Sequence, residues 1–158
     1  KNLILKIAKA GEFIGIQSLF ANSTFTYSAA CIEDKVVSIV NMSLFNEIVK
    51  LNNNFATEII GNLNQNINQY FERFISLTQK QLHGRLADAI LHLSKDVYQS
   101  MEFKLTLTRK DLAEFTGMST ESAIRILKEF HNDKIVNIDG KTLKITSQKL
   151  LEKLSEIG

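Results

Sequence analysis

Glu121 and Arg125 stand four residues apart in the run TESAIRILKEF, residues 120–130. At helical spacing a carboxylate and a guanidinium so placed share one face and can pair. Thr120, Ile124 and Lys128 fall on that face too, whereas Ala123, Ile126, Leu127 and Phe130 fall on the other. A hydroxyl, a carboxylate, a guanidinium and an ammonium around one aliphatic chain form no nucleophile–base pair and no metal-ligand set. They are the donors, acceptors and apolar contact that suit the edges of base pairs in a DNA groove.

Such a helix must be held by a second one. Thr108 is a candidate N-cap, with Asp111 three residues on as an approximate capping box. Leu112, Ala113 and Phe115 supply its apolar contacts, and the small Ala113 leaves room for a close crossing. Gly117 stands where the chain must bend, a position that often needs positive φ. Ser119 is then the N-cap of the next helix. Helix, glycine turn and helix with one packed and one polar face make a helix-turn-helix. Residues 134–145, KIVNIDGKTLKI, follow as two β-rich runs joined by Asp139-Gly140, the signal of a two-residue hairpin. A hairpin after the reading helix is a wing, and the order predicts a winged helix-turn-helix that binds DNA.

The chain has 158 residues, of which 44% are apolar and 23% charged, enough for one large or two small domains with a packed core. A net charge of +2 neither favours nor excludes nucleic acid. A lone cysteine, Cys31 in the apolar run YSAACI, leaves no internal disulfide or cysteine-rich metal site and reads as a buried thiol in a reducing cytoplasm. No apolar run reaches the length of a membrane span, and no secretory signal opens the chain. There is no HExxH and no phosphate loop, and GEFIGIQ lacks the setting of a dinucleotide fingerprint, so the chain reads as no enzyme. No cofactor site is identifiable and no metal site is expected. The first residue is Lys1, which suggests a piece of a longer protein or a processed chain.

Three sections follow one another. Residues 1–53 read as strands at 3–7, 13–16, 25–32 and 36–40, then a short helix capped by Asn41 or Ser43 and running to Lys50. Residues 54–80 read as a long helix in which Ile60, Leu63, Ile67, Tyr70, Phe74 and Leu77 recur at gaps of three and four, a seam suited to an identical helix and hence to a homodimer. The alternative is a helix packed on its own β-section. Gln81 and Gly84 interrupt the seam and mark a hinge. In residues 81–158 a helix lined by Leu82, Leu86, Ile90, Leu93 and Val97 carries the winged helix, and residues 147–157 close the chain as an amphipathic helix.

This order resembles the cyclic-AMP receptor protein/Fnr superfamily of bacterial transcription regulators. The motifs are GEFIG at 11–15, HGRLADAILHLS at 83–94 and LTRKDLAEFTGMSTESAIRILKEF at 107–130. The resemblance implies an α+β fold: a partial antiparallel β-roll of the cyclic-nucleotide-binding kind, a long dimerisation helix and a C-terminal winged helix-turn-helix. By analogy about sixty to seventy residues of a complete roll are absent, and its unpaired edges would need compensation. It also implies a cytoplasmic homodimer on palindromic double-stranded DNA, with RNA polymerase as a partner.

Mapped by the resemblance, Thr120, Glu121, Ile124 and Arg125 are the base-reading positions. Arg125 would take guanine O6 and N7, and Glu121 would accept from a cytosine amino group or orient Arg125. Thr108, Ser119, Ser122, Lys128, Lys141 and Lys144 are candidate phosphate contacts, which fix register without reading sequence. Cyclic-nucleotide-binding relatives carry a glutamate where Ile16 stands and Arg-Ser where Tyr27-Ser28 stands, while Tyr70 and Phe71 occupy two purine-contacting positions. Without the charged partners a cyclic phosphate is poorly held, so cyclic AMP is not the expected effector. His83, His92 and His131 fall on helices where packed or solvated roles outweigh haem ligation. The competing reading of the whole is a coiled-coil dimer whose helix-turn-helix docks protein and not DNA.

Overall fold

The computed structural model describes residues 2–18 and 24–158. The chain divides into two compact units, Ala10–Phe71 and a second made of Lys1–Lys9 with Glu72–Gly158.

In the first unit Asn41 is the N-cap of α1 (Met42–Leu51), its Oδ1 accepting from the backbone N–H groups of Ser43 and Leu44 at 2.9 and 3.1 Å. Asn52 separates α1 from α2 (Asn53–Gln79) and accepts from Phe55 N at 3.0 Å, satisfying an orphan donor at the start of the long helix. A small core gathers Ile16, Phe45 and Ile59, with Val49, Phe55 and Leu63 against it. Phe45 meets the rings of Phe13 and Phe55 edge to face.

The strands expected at 3–7, 13–16, 25–32 and 36–40 are not formed among the described residues; residues 16–18 make a single 3₁₀ turn. A strand needs a neighbour for its N–H and C=O groups and a layer for its apolar face. Residues 3–7 and 13–16 pack as irregular chain, with Ile7 and Ile16 against the two cores and Ile4 N donating to Glu114 O at 3.2 Å, while Val36 and Ile39 are 101% and 97% exposed. Cys31, expected to be buried, is exposed for the same reason. Residues 1 and 19–23 of the expected roll lie outside the described residues.

In the second unit α2 ends at Gln79 and α3 (Leu82–His92) begins after Gln81, whose extended backbone (φ −71°, ψ 167°) breaks the helix at the expected hinge. A π turn over Leu93–Val97 leads to β1 (Glu102–Lys104). Then come α4 (Arg109–Thr116), α5 (Thr120–Asn132), β2 (Val136–Asp139), β3 (Thr142–Ile145) and α6 (Gln148–Ile157). The sheet is antiparallel in the order β1-β3-β2.

The wing differs by one position from expectation. Asp139 pairs with Thr142, so the loop is Gly140-Lys141, and Gly140 has the positive φ of +56° that tight hairpins require. The third strand, β1, was not foreseen, although Phe103, Leu105 and Leu107 alternate and all three are buried. Leu86, Ile90, Leu112, Ala123, Ile126, Phe130, Leu143 and Leu151 form one core beneath the helices and sheet. The architecture is α+β with a C-terminal winged helix-turn-helix. Among the described residues no helix is long and apolar enough to cross a membrane, and no cluster of His, Cys, Asp and Glu could hold a metal ion.

Candidate nucleic-acid interface

The presentation of α5 is built from local caps. Thr108 Oγ1 accepts from Asp111 N at 3.1 Å while Asp111 Oδ2 accepts from Thr108 N at 2.9 Å, a complete capping box that starts α4. Gly117 ends α4 in the left-handed region, φ +64°. Ser119 Oγ accepts from Ser122 N at 3.1 Å and starts α5. Three residues thus turn the chain. Ala123, Ile126, Leu127 and Phe130 are then buried, while Glu121, Ile124, Arg125 and Lys128 are exposed and Thr120 is half-buried. The four base-reading candidates come together on the outer side of the first two turns of α5.

Arg125 is not oriented by Glu121. Its Nη1 donates to Glu129 Oε1 at 2.7 Å, one turn further along. Glu121 lies in the first turn, where its own backbone N–H and the Ser119 hydroxyl bond its carboxylate and hold it below the usual carboxylate range. Orphan N–H groups and the positive end of the helix dipole favour that placement. Glu129 also accepts from His83 Nε2 at 2.8 Å, and His83, Arg125 and their attraction keep its carboxyl low. Glu129 was not singled out from the sequence, and His83 only as a packed or solvated histidine. The i, i+4 spacing of Arg125 and Glu129 was the available signal; the His83 contact joins positions 46 apart and leaves none.

The phosphate candidates fall into three groups. The hydroxyls of Thr108 and Ser119 are engaged in capping: Thr108 Oγ1 also donates to Asp111 Oδ2 at 2.7 Å, and the Ser119 and Ser122 hydroxyls bond each other at 3.1 Å. Lys144 lies opposite Glu102 on the β1–β3 ladder and pairs with it at 2.8 Å. Lys128 on α5 and Lys141 at the wing tip are exposed. His131 joins helix to wing, its Nδ1 accepting from Ile138 N at 3.1 Å.

Residues 84–154 match the family described as the Crp-like helix-turn-helix domain. Electron transport regulator A of Shewanella oneidensis is 25% identical over 150 residues, covering 92% of this chain and 60% of that protein. The Fumarate and nitrate reduction regulatory protein of Yersinia pestis is also 25% identical over 150 residues, with the same coverage of 92% and 60%. The chain is thus similar to Crp/Fnr regulators, and its residues 84–154 carry their helix-turn-helix domain. It spans about three-fifths of the length of these curated relatives. Among solved structures, FixK2 from Bradyrhizobium japonicum shares the fold at a TM-score of 0.69 and 17% identity, over 73% of this chain and 59% of that one.

Against the pattern implied for cyclic-nucleotide-binding members of the Crp/Fnr family, Ile16 is buried beside Phe45 and Ile59. The Tyr27 hydroxyl accepts from Gly15 N at 2.9 Å and donates to Gln17 Oε1 at 3.1 Å. An aliphatic side chain and a phenol committed to its own turn offer a cyclic phosphate no cation.

The seam of α2 is divided. Ile60, Ile67 and Phe74, seven residues apart, are 59%, 46% and 64% exposed. Leu63, Tyr70 and Leu77 are half-buried against their own chain: Leu63 joins the Phe45 core and Leu77 meets Gly117. Phe71 and Ile75, outside the predicted seam, are exposed as well.

Proposed function

We propose that this chain is the dimerising and DNA-binding part of a homodimeric Crp/Fnr-type transcription regulator. It reads palindromic double-stranded DNA through Thr120, Glu121, Ile124 and Arg125 of α5, while Lys128 and Lys141 neutralise phosphates. The observation that carries this reading is the two-faced α5: four buried apolar residues beneath a reading face on which Arg125 is held out toward solvent. Ile60, Ile67, Phe71 and Phe74 supply the dimer face, since exposed apolar groups at these spacings are covered most simply by a second copy. Two recognition helices then lie about one DNA turn apart, roughly 34 Å. The setting is the cytoplasm, the protein partner RNA polymerase, and the effector something other than cyclic AMP; no catalysis is assigned.

Selection from random duplexes followed by titration at two salt concentrations tests the reading. A palindrome should emerge, and affinity should fall steeply with salt. Sedimentation should give a dimer that Ile67→Glu with Phe74→Glu disperses. Equal, salt-insensitive binding of all duplexes would contradict the DNA role, and a monomeric wild type would contradict the dimer.

A further inference from the structure

Glu129 joins two helices by its two oxygens. Oε1 accepts from Arg125 Nη1 at 2.7 Å on α5, and Oε2 accepts from His83 Nε2 at 2.8 Å on α3. An ionised carboxylate only accepts, so the His83 proton lies on Nε2. The His83 ring sits against the ring of Phe130, centroids 6.1 Å apart, and Phe130 is buried in the core. His83 therefore has a fixed ring on a fixed helix, in the first turn after the break at Gln81.

A single exposed arginine–glutamate pair restrains little, because two flexible side chains must be ordered for one weak attraction. A carboxylate already anchored from a second helix changes that balance, since most of its rotamer freedom is lost before the arginine arrives. Arg125 then loses one edge of its guanidinium to Glu129 and keeps the remaining N–H groups of the fork for another acceptor. Guanine accepts at O6 and N7 only from a fork correctly turned in the groove plane.

We propose that Glu129 is a positioning residue for base reading by Arg125 and that His83 on α3 sets its position. The proposal rests on the DNA-reading role of Arg125 given above and adds a contact running from the hinge-side helix to the reading side chain. Sequence discrimination thereby depends on the seating of α3 against α5. Glu121, the carboxylate one turn before Arg125, is left to the helix N-terminus and to the DNA.

Two readouts on the full chain test this. The first needs no DNA: side-chain nitrogen resonances of Arg125 in wild type, Glu129→Gln, His83→Ala and His83→Gln. The restraint predicts slowed guanidinium rotation in wild type, released in Glu129→Gln and His83→Ala and recovered in His83→Gln, whose amide N–H can replace the imidazole donor. The second is the ratio of Kd values for a selected duplex and its guanine-to-adenine variant. That ratio cancels the general gain in affinity from removing a negative charge near phosphates. It should fall about threefold to fivefold in Glu129→Gln and His83→Ala, within the reach of an exposed pair, at unchanged melting temperature, and return in His83→Gln. An unchanged ratio in both disrupting variants, or Arg125 signals blind to His83→Ala, overturns the proposal. Signals that respond as described in a protein without base preference overturn the base-reading role itself and reduce the contact to a surface ion pair.

Discussion

The Ser76 hydroxyl donates to Asp88 Oδ2 at 2.5 Å, bonding the last turns of α2 to α3 across the break at Gln81. Lys80 Nζ reaches Asp88 Oδ1 at 2.8 Å, and Ser155 of α6 donates to the same oxygen. One carboxylate on α3 thus collects donors from α2, from the break after it and from α6, and Ser76 is buried. Asp88→Ala strands a buried hydroxyl and leaves the half-buried Lys80 ammonium only its bond to Ser155 Oγ at 3.3 Å, which should cost about 2–3 kcal/mol of unfolding free energy. Urea unfolding measures it, and a loss comparable with that of a surface alanine substitution would mean the node carries no stability.

Gly117 holds two constraints at once. Its φ is +64°, and a Cβ there would lie 2.8 Å from Leu77 Cδ2. The leucine end can shift, so backbone strain dominates, and Gly117→Ala should destabilise by about 1–2 kcal/mol. Gly117→Asn, which tolerates the left-handed region better, should cost less in the same thermal melts. Equal costs would assign the effect to crowding against Leu77.

Arg73 lies with its guanidinium carbon 4.0 Å from the centre of the Phe115 ring and donates from Nη2 to Ile4 O at 3.0 Å. Its Nε is buried without a partner among the described residues, and burial lowers its pKa to about 10. The stacking and the bond are favourable, while the orphan donor and the desolvated charge oppose them. Arg73→Ala should therefore cost about 1–2 kcal/mol, and Arg73→Met, which keeps contact with Phe115 and removes the orphan donor, should cost less. Denaturant melts that rank methionine with alanine would refute this division.

Lys141 and Lys144 separate by pairing. Lys144 is bound to Glu102, and this neighbour raises its pKa; Lys141 stands exposed at the wing tip. Lys141→Ala should weaken all duplexes alike and reduce the salt slope by about one counterion, whereas Lys144→Ala should change it less. Titrations over a salt series check both, and a loss confined to one sequence would remove Lys141 from the phosphate contacts.

The helix-turn-helix was legible because its punctuation is local chemistry. Thr108 with Asp111, Gly117 and Ser119 each act within one turn, so their residue types announce the caps that form. The seam of α2 was legible as apolar periodicity but not as exposure. Leu63 and Leu77 look no different from Ile60 and Phe74 in sequence, yet their own chain covers them. Residues 36–40 are β-rich like a strand, but pairing is a property of two segments, and among the described residues no second segment pairs with them. The wing was displaced by one residue because Asp-Gly marks a turn without fixing which of its residues ends the ladder. Glu129 escaped notice because its role depends on His83, which only tertiary packing brings near.

The central claim is that Arg125, carried on the exposed side of α5, reads a guanine. The most direct test compares Kd for a selected palindrome with Kd for the same duplex changed at one guanine per half-site, in wild type and in Arg125→Ala. Wild type should discriminate by about 1–3 kcal/mol, and Arg125→Ala should bind both duplexes alike. Discrimination kept intact in Arg125→Ala would contradict the assignment.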